Sequence, residues 1–216
     1  MLPIGPLMAE HRIIEKLMAP IRQAVEAGRR DGRIDLRFVD LALDFIRTYA
    51  DRCHHGKEED ILFKALEGKP LATEHRATLN ELVEEHKMGR QKVRELREAA
   101  EAYRRGGGDR GGDGAGEGGG DGGGGGSGDG SGDGVALLII LDRLEFLATF
   151  YPGHIQKEDH RFFLPVMDYF DDAEKAAMIE AEREFDMSLI HEIYKERVES
   201  LEFEAQHSES SQQTKP

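Results

Sequence analysis

Two segments of this 216-residue chain repeat each other at an offset of one hundred residues, and the groups they share are metal ligands. His54-His55-Gly56-Lys57-Glu58-Glu59-Asp60-Ile61-Leu62-Phe63 aligns without a gap on His154-Ile155-Gln156-Lys157-Glu158-Asp159-His160-Arg161-Phe162-Phe163. His, Lys and Glu coincide, an acid follows each Glu, and a large apolar pair closes both. Each segment contains H-x-x-x-E. On a helix, residues four apart share a face, roughly 6 Å along the axis. One imidazole and one carboxylate then point the same way, and two such helices in one bundle supply a dinuclear site.

Two further histidines, His11 and His86, fall on apolar stripes, so that His11, His54, His86 and His154 each belong to a different long helix. One histidine on such a stripe is ordinarily a hydrogen-bonded core residue. Four of them, two with a Glu one turn on, would leave a bundle core with a large desolvation cost unless a cation were present. Imidazole and carboxylate suit iron, manganese or zinc, and nothing here is soft enough to favour copper(I) or an iron–sulfur cluster. Neighbouring residues compete. His55 and Glu59 form a second H-x-x-x-E about 100° around the helix, but the repeat favours His54 and Glu58, leaving His55 and Glu59 as solvated or supporting groups or alternative ligands. Asp159 competes with Glu158, which continues the phase of Leu144, Leu147, Tyr151 and His154. Tyr151, one turn before His154, should face the cavity. His75, His160, His191 and His207 are assigned to the surface, and Cys53 to a small core position.

The elements that must position these groups are helices. Leu7, His11, Ile14, Met18, Ile21 and Val25 alternate steps of three and four over residues 7–28, with Gly28 and the Arg29–Arg33 stretch expected to end the helix. Asp35 caps a second helix reaching about Leu66, stopped by Gly68 and Pro70. Thr73 caps a third over about 74–104. A fourth starts near Val135, with a kink expected at Pro152-Gly153, and two amphipathic stretches, about 172–186 and 187–203, follow. No hairpin signal occurs. The fold class is all-α: an up-and-down four-helix bundle with additional C-terminal helices.

Residues 106–134 contain 19 Gly among 29 residues and no large apolar side chain. Glycine has the most backbone entropy to lose, and this stretch has nothing to bury in exchange, so it reads as a disordered Gly/Asp-rich insertion. Residues 204–216 read as a disordered tail. The domain therefore spans 1–203 with that interruption. A net charge of −14 argues against nucleic acid and against an anionic membrane surface. No apolar run approaches the roughly 20 residues of a membrane span. One cysteine precludes an internal disulfide, and a cytoplasmic protein fits.

The order His11, His54-x-x-x-Glu58, His86, His154-x-x-x-Glu158 resembles the hemerythrin-like (HHE cation-binding) proteins. Pro3-Ile4-Gly5-Pro6-Leu7-Met8-Ala9-Glu10-His11-Arg12 looks like that family's first helix, the segment from His54 to Phe63 its second, Glu85-His86-Lys87-Met88-Gly89-Arg90 its third and His154 to Asp159 its fourth. The resemblance covers about residues 1–104 and 135–190. The oxygen-carrying members have a further His one turn before the third-helix ligand, where this chain has Leu82. Their fourth-helix carboxylate lies five residues after its His, which would be Asp159. The four-His, two-Glu set instead resembles the bacterial hemerythrin-like proteins and the di-iron domain of iron–sulfur repair proteins.

The resemblance implies a di-iron centre, with manganese or zinc as substitutes, carrying an oxo or hydroxo bridge and bridged by Glu58 and Glu158. His11 with His54, and His86 with His154, complete the two sets. Six protein ligands leave positions open to dioxygen, peroxide or nitric oxide. The expected function is binding or sensing of such a small ligand, or of iron. Turnover of peroxide or nitric oxide, or iron donation for cluster repair, is the enzymatic alternative. Deleting residues 109–132 should leave metal content and the thermal transition nearly unchanged, because loop-closure entropy varies by only about 0.6 kcal/mol per doubling of length. Loss of iron in that deletion, read by elemental analysis, would show that the tract matters to the site.

Overall fold

The computed structural model describes residues 2–107, 131–189 and 193. Among them the chain is helical throughout, with no strand. Helix α1 spans Ile4–Asp31 and ends at Gly32, whose φ of 66° is a left-handed conformation that favours glycine. That end falls within the expected Arg29–Arg33 stretch, while Gly28 lies inside α1. It is buried against Leu141, and a Cβ there would meet the Leu141 side chain at 2.5 Å.

The second long helix runs continuously over 36–67. It begins as α2 (Leu36–Phe45), capped by the Asp35 carboxylate accepting from the Arg37 backbone N–H. It then widens into π-helical turns at Ile46–His55 and Glu58–Phe63 before closing as α3 (Lys64–Glu67). Helix α4 is Thr73–Gly106. Its cap position is Ala72, so Thr73 is the first helical residue rather than the cap. Helix α5 is Ser131–Lys157, followed by π-helical Glu158–Phe162, α6 (Phe163–Val166) and a 3-10 turn at Met167–Tyr169. Pro152 lies within α5, and the helix continues through it. Helix α7 occupies 172–189 without the break expected at 186–187. Gly106 and residues 131–134, assigned to the glycine-rich insertion, belong to α4 and α5. The rest of that insertion, the tail at 204–216 and His191 and His207 lie outside the described residues.

Helix directions follow from the pairings. Arg29 meets Glu145 while His11 meets Asp159, so α1 and α5 are antiparallel. Glu95 meets Arg143 while Glu85 meets His154, so α4 and α5 are antiparallel as well. Asp40 with Arg104 and Glu59 with His86 set the second helix against α4 in the same way. The result is an up-down-up-down bundle with α7 added. No described helix is long and apolar enough to cross a membrane.

The apolar interior is divided in two. One cluster, including Ile21, Val39, Leu96, Ile140, Leu144 and Leu147, fills the end toward the α1–α2 turn. The other, including Leu7, Leu62, Phe63, Leu82, Phe162 and Phe163, fills the opposite end. The polar groups described next lie between them. Leu144→Ala, at a fully buried position, should cost about 2–5 kcal/mol while the variant still takes up metal to the wild-type level. Thermal denaturation and metal analysis check this pair of outcomes.

Candidate metal centre

The π-helical turns explain how so many polar groups reach the interior. In i→i+5 turns the angle between successive residues is smaller than in an α-helix, so sequence neighbours diverge less and two in a row can face inward. His54 and His55 are both buried, and so are Glu58, Glu158 and Asp159. Of the readings left open for His55, the solvated one is excluded: it is 3% exposed and packs at 3.9 Å, ring over ring, on His86. The strict α-helical phase that set Asp159 aside is lost at the same kind of turn.

Two fully buried groups of potential ligand atoms result, each within 4.8 Å: His55, Glu58, His86 and His154, and His11, His54, Glu58 and Glu158. The two carboxylates reach across both. Glu58 Oε1 lies 3.4 Å from His54 Nε2, and its Oε2 lies 3.3 Å from His86 Nε2. Glu158 Oε2 lies 3.2 Å from His11 Nε2, and its Oε1 lies 3.2 Å from His154 Nε2. His11 Nε2 and His54 Nε2 are 2.8 Å apart. All six sequence-predicted ligands are thus brought together, and His55 joins them.

Behind this ring stands a layer of carboxylates that holds the other face of each imidazole. Nδ1 of His11 donates to Asp159 at 2.8 Å, His54 to Glu10 at 3.0 Å, His86 to Glu59 at 2.6 Å and His154 to Glu85 at 2.8 Å. A carboxylate on Nδ1 fixes the ring and leaves Nε2 free to accept a cation. These carboxylates are themselves paired: Asp159 with Arg12, Glu10 with Lys57, Glu59 with Arg90 and Glu85 with Lys157. The repeat now has a physical meaning. Lys57 and Lys157 pair with Glu10 and Glu85, which orient His54 and His154. Glu59 and Asp159 cross over to orient His86 and His11. Phe63 and Phe163 stack on His86 and His11 at 5.7 and 5.5 Å. His55 breaks the repeat, since its counterpart is Ile155, and Asp51 Oδ1 at 3.4 Å from its Nδ1 lies outside hydrogen-bonding geometry.

Sequence reasoning missed Glu10, Glu85 and the role of the lysines. The signal was present in two Glu-His steps, Glu10-His11 and Glu85-His86, matched to the two lysines common to the repeat. Lys57 is fully buried, which a lysine tolerates only when paired. It also donates to Asp186 of α7 at 2.8 Å. The Phe185 ring lies over Gly56, where a Cβ would come within 2.6 Å of Cζ, so the glycine is what lets α7 approach this close. Cys53 is half-buried beside Asp186 rather than a core residue, and burial pushes its thiol up to about 12. Tyr151 is buried near His55 as expected. His160 is exposed, whereas His75 is partly buried and hydrogen-bonded to the Tyr169 hydroxyl at 2.9 Å.

Electrostatics show what the site demands. Burial lowers His54, but Glu58 and Glu10 outweigh it and hold the imidazole near 9. His86 is likewise lowered by burial and raised further, to about 11, by Glu158, Glu58 and Glu59. His154 rises to about 9 against its own burial, through Glu158 and Glu85. Glu58 and Glu158 stay ionised despite burial because the imidazoles face them. His55 goes the other way, to about 4, because burial and the adjacent His86 disfavour its charge, so it remains a neutral donor. Protons and metal ions thus compete for the same nitrogens.

The fit to a cation rests on what these atoms lack. Both oxygens of Glu58 and of Glu158, Nε2 of His86 and His154 and both nitrogens of His55 are buried without a hydrogen-bond partner. Buried polar atoms are satisfied in nearly every native structure, and this many unsatisfied ones converging on one volume is the arrangement of a metal site. The model of the hemerythrin HHE cation-binding domain matches residues 2–118. The chain belongs to that family. The matched span carries His11, His54, Glu58 and His86, and the fold brings His154 and Glu158 to them from the unmatched part. No curated protein and no solved structure matches the chain. The hemerythrin HHE family is a cation-binding one, and the buried His and Glu groups of this chain suit that role.

Glu182 of α7 supplies a test of how α7 is seated over Lys57. It is 4% exposed, one of its oxygens has no partner, and burial pushes its carboxyl up to about 7. A folded-state value above the unfolded one gives stability that is complete below about pH 4.5 and lost as pH rises to about 7. Glu182→Gln should therefore melt higher than wild type at about pH 8, with the gap closing below about pH 5. Equal melting temperatures across that range would place Glu182 in water.

Proposed function

We propose that this chain is a non-haem di-iron protein that binds or senses a small ligand such as dioxygen, peroxide or nitric oxide. The observation that carries the reading is the crossed arrangement of Glu58 and Glu158. Each presents one oxygen to each histidine set and neither oxygen has a donor. One ion would be held by His11 and His54 and the other by His86 and His154, with both carboxylates shared, and His55 is a further ligand candidate on the second side. Hard oxygen and imidazole donors suit iron, with manganese or zinc as the competitors. Two irons here would supply redox capacity and coordination positions for a small ligand.

The chain's own residues do the rest. Asp159, Glu10, Glu59 and Glu85 hold the imidazole rings in one orientation and keep Nε2 as the acceptor. Lys57, Lys157, Arg12 and Arg90 pair with those carboxylates and hold them in place. The apolar clusters on either side exclude bulk water, which strengthens every electrostatic interaction in between.

Four variants prepared alike test the assignment, with iron per chain as the readout. Glu58→Ala and Glu158→Ala should lose most of the metal, since each removes two donor atoms. Glu59→Ala and Asp159→Ala should weaken binding by about 10- to 100-fold, the usual effect of removing a carboxylate behind a ligand histidine, and so retain iron when it is in excess. Metal lost from Asp159→Ala but kept by Glu158→Ala would reverse the fourth-helix assignment. An optical change on adding peroxide or nitric oxide to the loaded protein supports ligand binding, and its absence with both argues against it.

A further inference from the structure

A cleft of about 160 Å³ opens beside the His55 half of the site, between the second helix, α4 and α5. Its inner wall is His55 and Tyr151, and its outer wall carries three guanidinium groups, Arg47, Arg90 and Arg94. His55 ties the cleft to the centre: it lines this space, belongs to the group with Glu58, His86 and His154, and has no hydrogen-bond partner on either nitrogen.

Charge and size define what the cleft admits. One carboxylate, Asp51, lines it against the three arginines, and Asp51 is already bonded to Arg90 at 2.7 Å. Arg90 is further paired with Glu59 at 2.9 Å. Arg47 forms no ion pair among the described residues, and Arg94 is bonded only to the uncharged amide oxygen of Gln91. In a chain of net charge −14 this is a local excess of positive charge at the mouth of a recess, and such a recess concentrates anions. Organic ligands fill pockets of roughly 300–1,000 Å³. At about 30 Å³ each, this cleft has room for about five water molecules, or for an inorganic ion of about that many heavy atoms.

We propose that this cleft is the entry port through which a small inorganic anion reaches the metal centre, captured by Arg47 and Arg94 and passed along Tyr151 and His55. The proposal rests on the metal-centre reading above and adds a route for anionic ligands to that site beside the uncharged ones.

The test uses the full chain loaded with metal and azide as the anion. In iron-loaded protein, the rate of the optical change on mixing with azide is compared with that on mixing with uncharged nitric oxide. The double variant Arg47→Gln, Arg94→Gln should take up azide about 10-fold or more slowly, with nitric oxide uptake and iron per chain unchanged. In zinc-loaded protein, azide should shift the side-chain Nε–H resonances of Arg47 and Arg94 saturably, a readout that needs no redox metal. Wild-type azide rates in the double variant at normal iron content would overturn the port alone. Slowing of both ligands equally in the double variant would overturn the charge selection. A wild-type chain that takes up no metal would overturn the metal reading and this proposal with it.

Discussion

Glu58 and Glu158 are wholly buried carboxylates facing imidazole nitrogens on every side, and neither has a hydrogen-bond donor. Removing a carboxylate from water costs several kcal/mol even after relaxation, so two of them in one interior require positive charge between them. Protons on His54, His86 and His154 can meet that demand, and so can metal ions at the same nitrogens. The rest of the bundle is organised around this choice. The π-helical turns deliver consecutive polar residues to the interior, and the carboxylates behind the rings commit Nδ1 to a protein partner. What is left free is a set of Nε2 atoms and four oxygens.

The outer layer makes the charge requirement consistent over a larger volume. Each supporting carboxylate is matched by a lysine or arginine, and the most buried of these, Lys57, is tied on its far side to Asp186 of α7. A buried lysine with two acidic partners is stable where an unpaired one is not. The added helix is thereby linked to the ligand set through Asp186, Lys57, Glu10 and His54. The apolar clusters complete the arrangement by separating the site from water at both ends of the bundle.

Much of this was legible in the residue order. The internal repeat named His54, Glu58, His154 and Glu158, and the apolar stripes added His11 and His86 and set the helix count. The errors have one main cause. Reading every helix with a fixed 100° step left a solvated His55 among the alternatives and put Asp159 off the inward face, and π-helical winding is not encoded in hydrophobic period. The end of α1 falls in the Arg29–Arg33 stretch, at Gly32, while Gly28 serves packing and admits Leu141. Thr73 is a capping residue type, yet Ala72 occupies the cap. The pairing of Glu10 with Lys57, and of Glu85 with Lys157, joins residues 47 and 72 positions apart, and only the fold brings them into contact.

The central claim is that the crossed carboxylates bind two cations jointly. Titration of the metal-free chain with ferrous iron under anaerobic conditions, followed by calorimetry and checked by elemental analysis, tests it most directly. The account predicts saturation at two irons per chain, with proton release on binding because the metal displaces protons from the raised imidazoles. Saturation at a single ion, with no further uptake in excess iron, would contradict it.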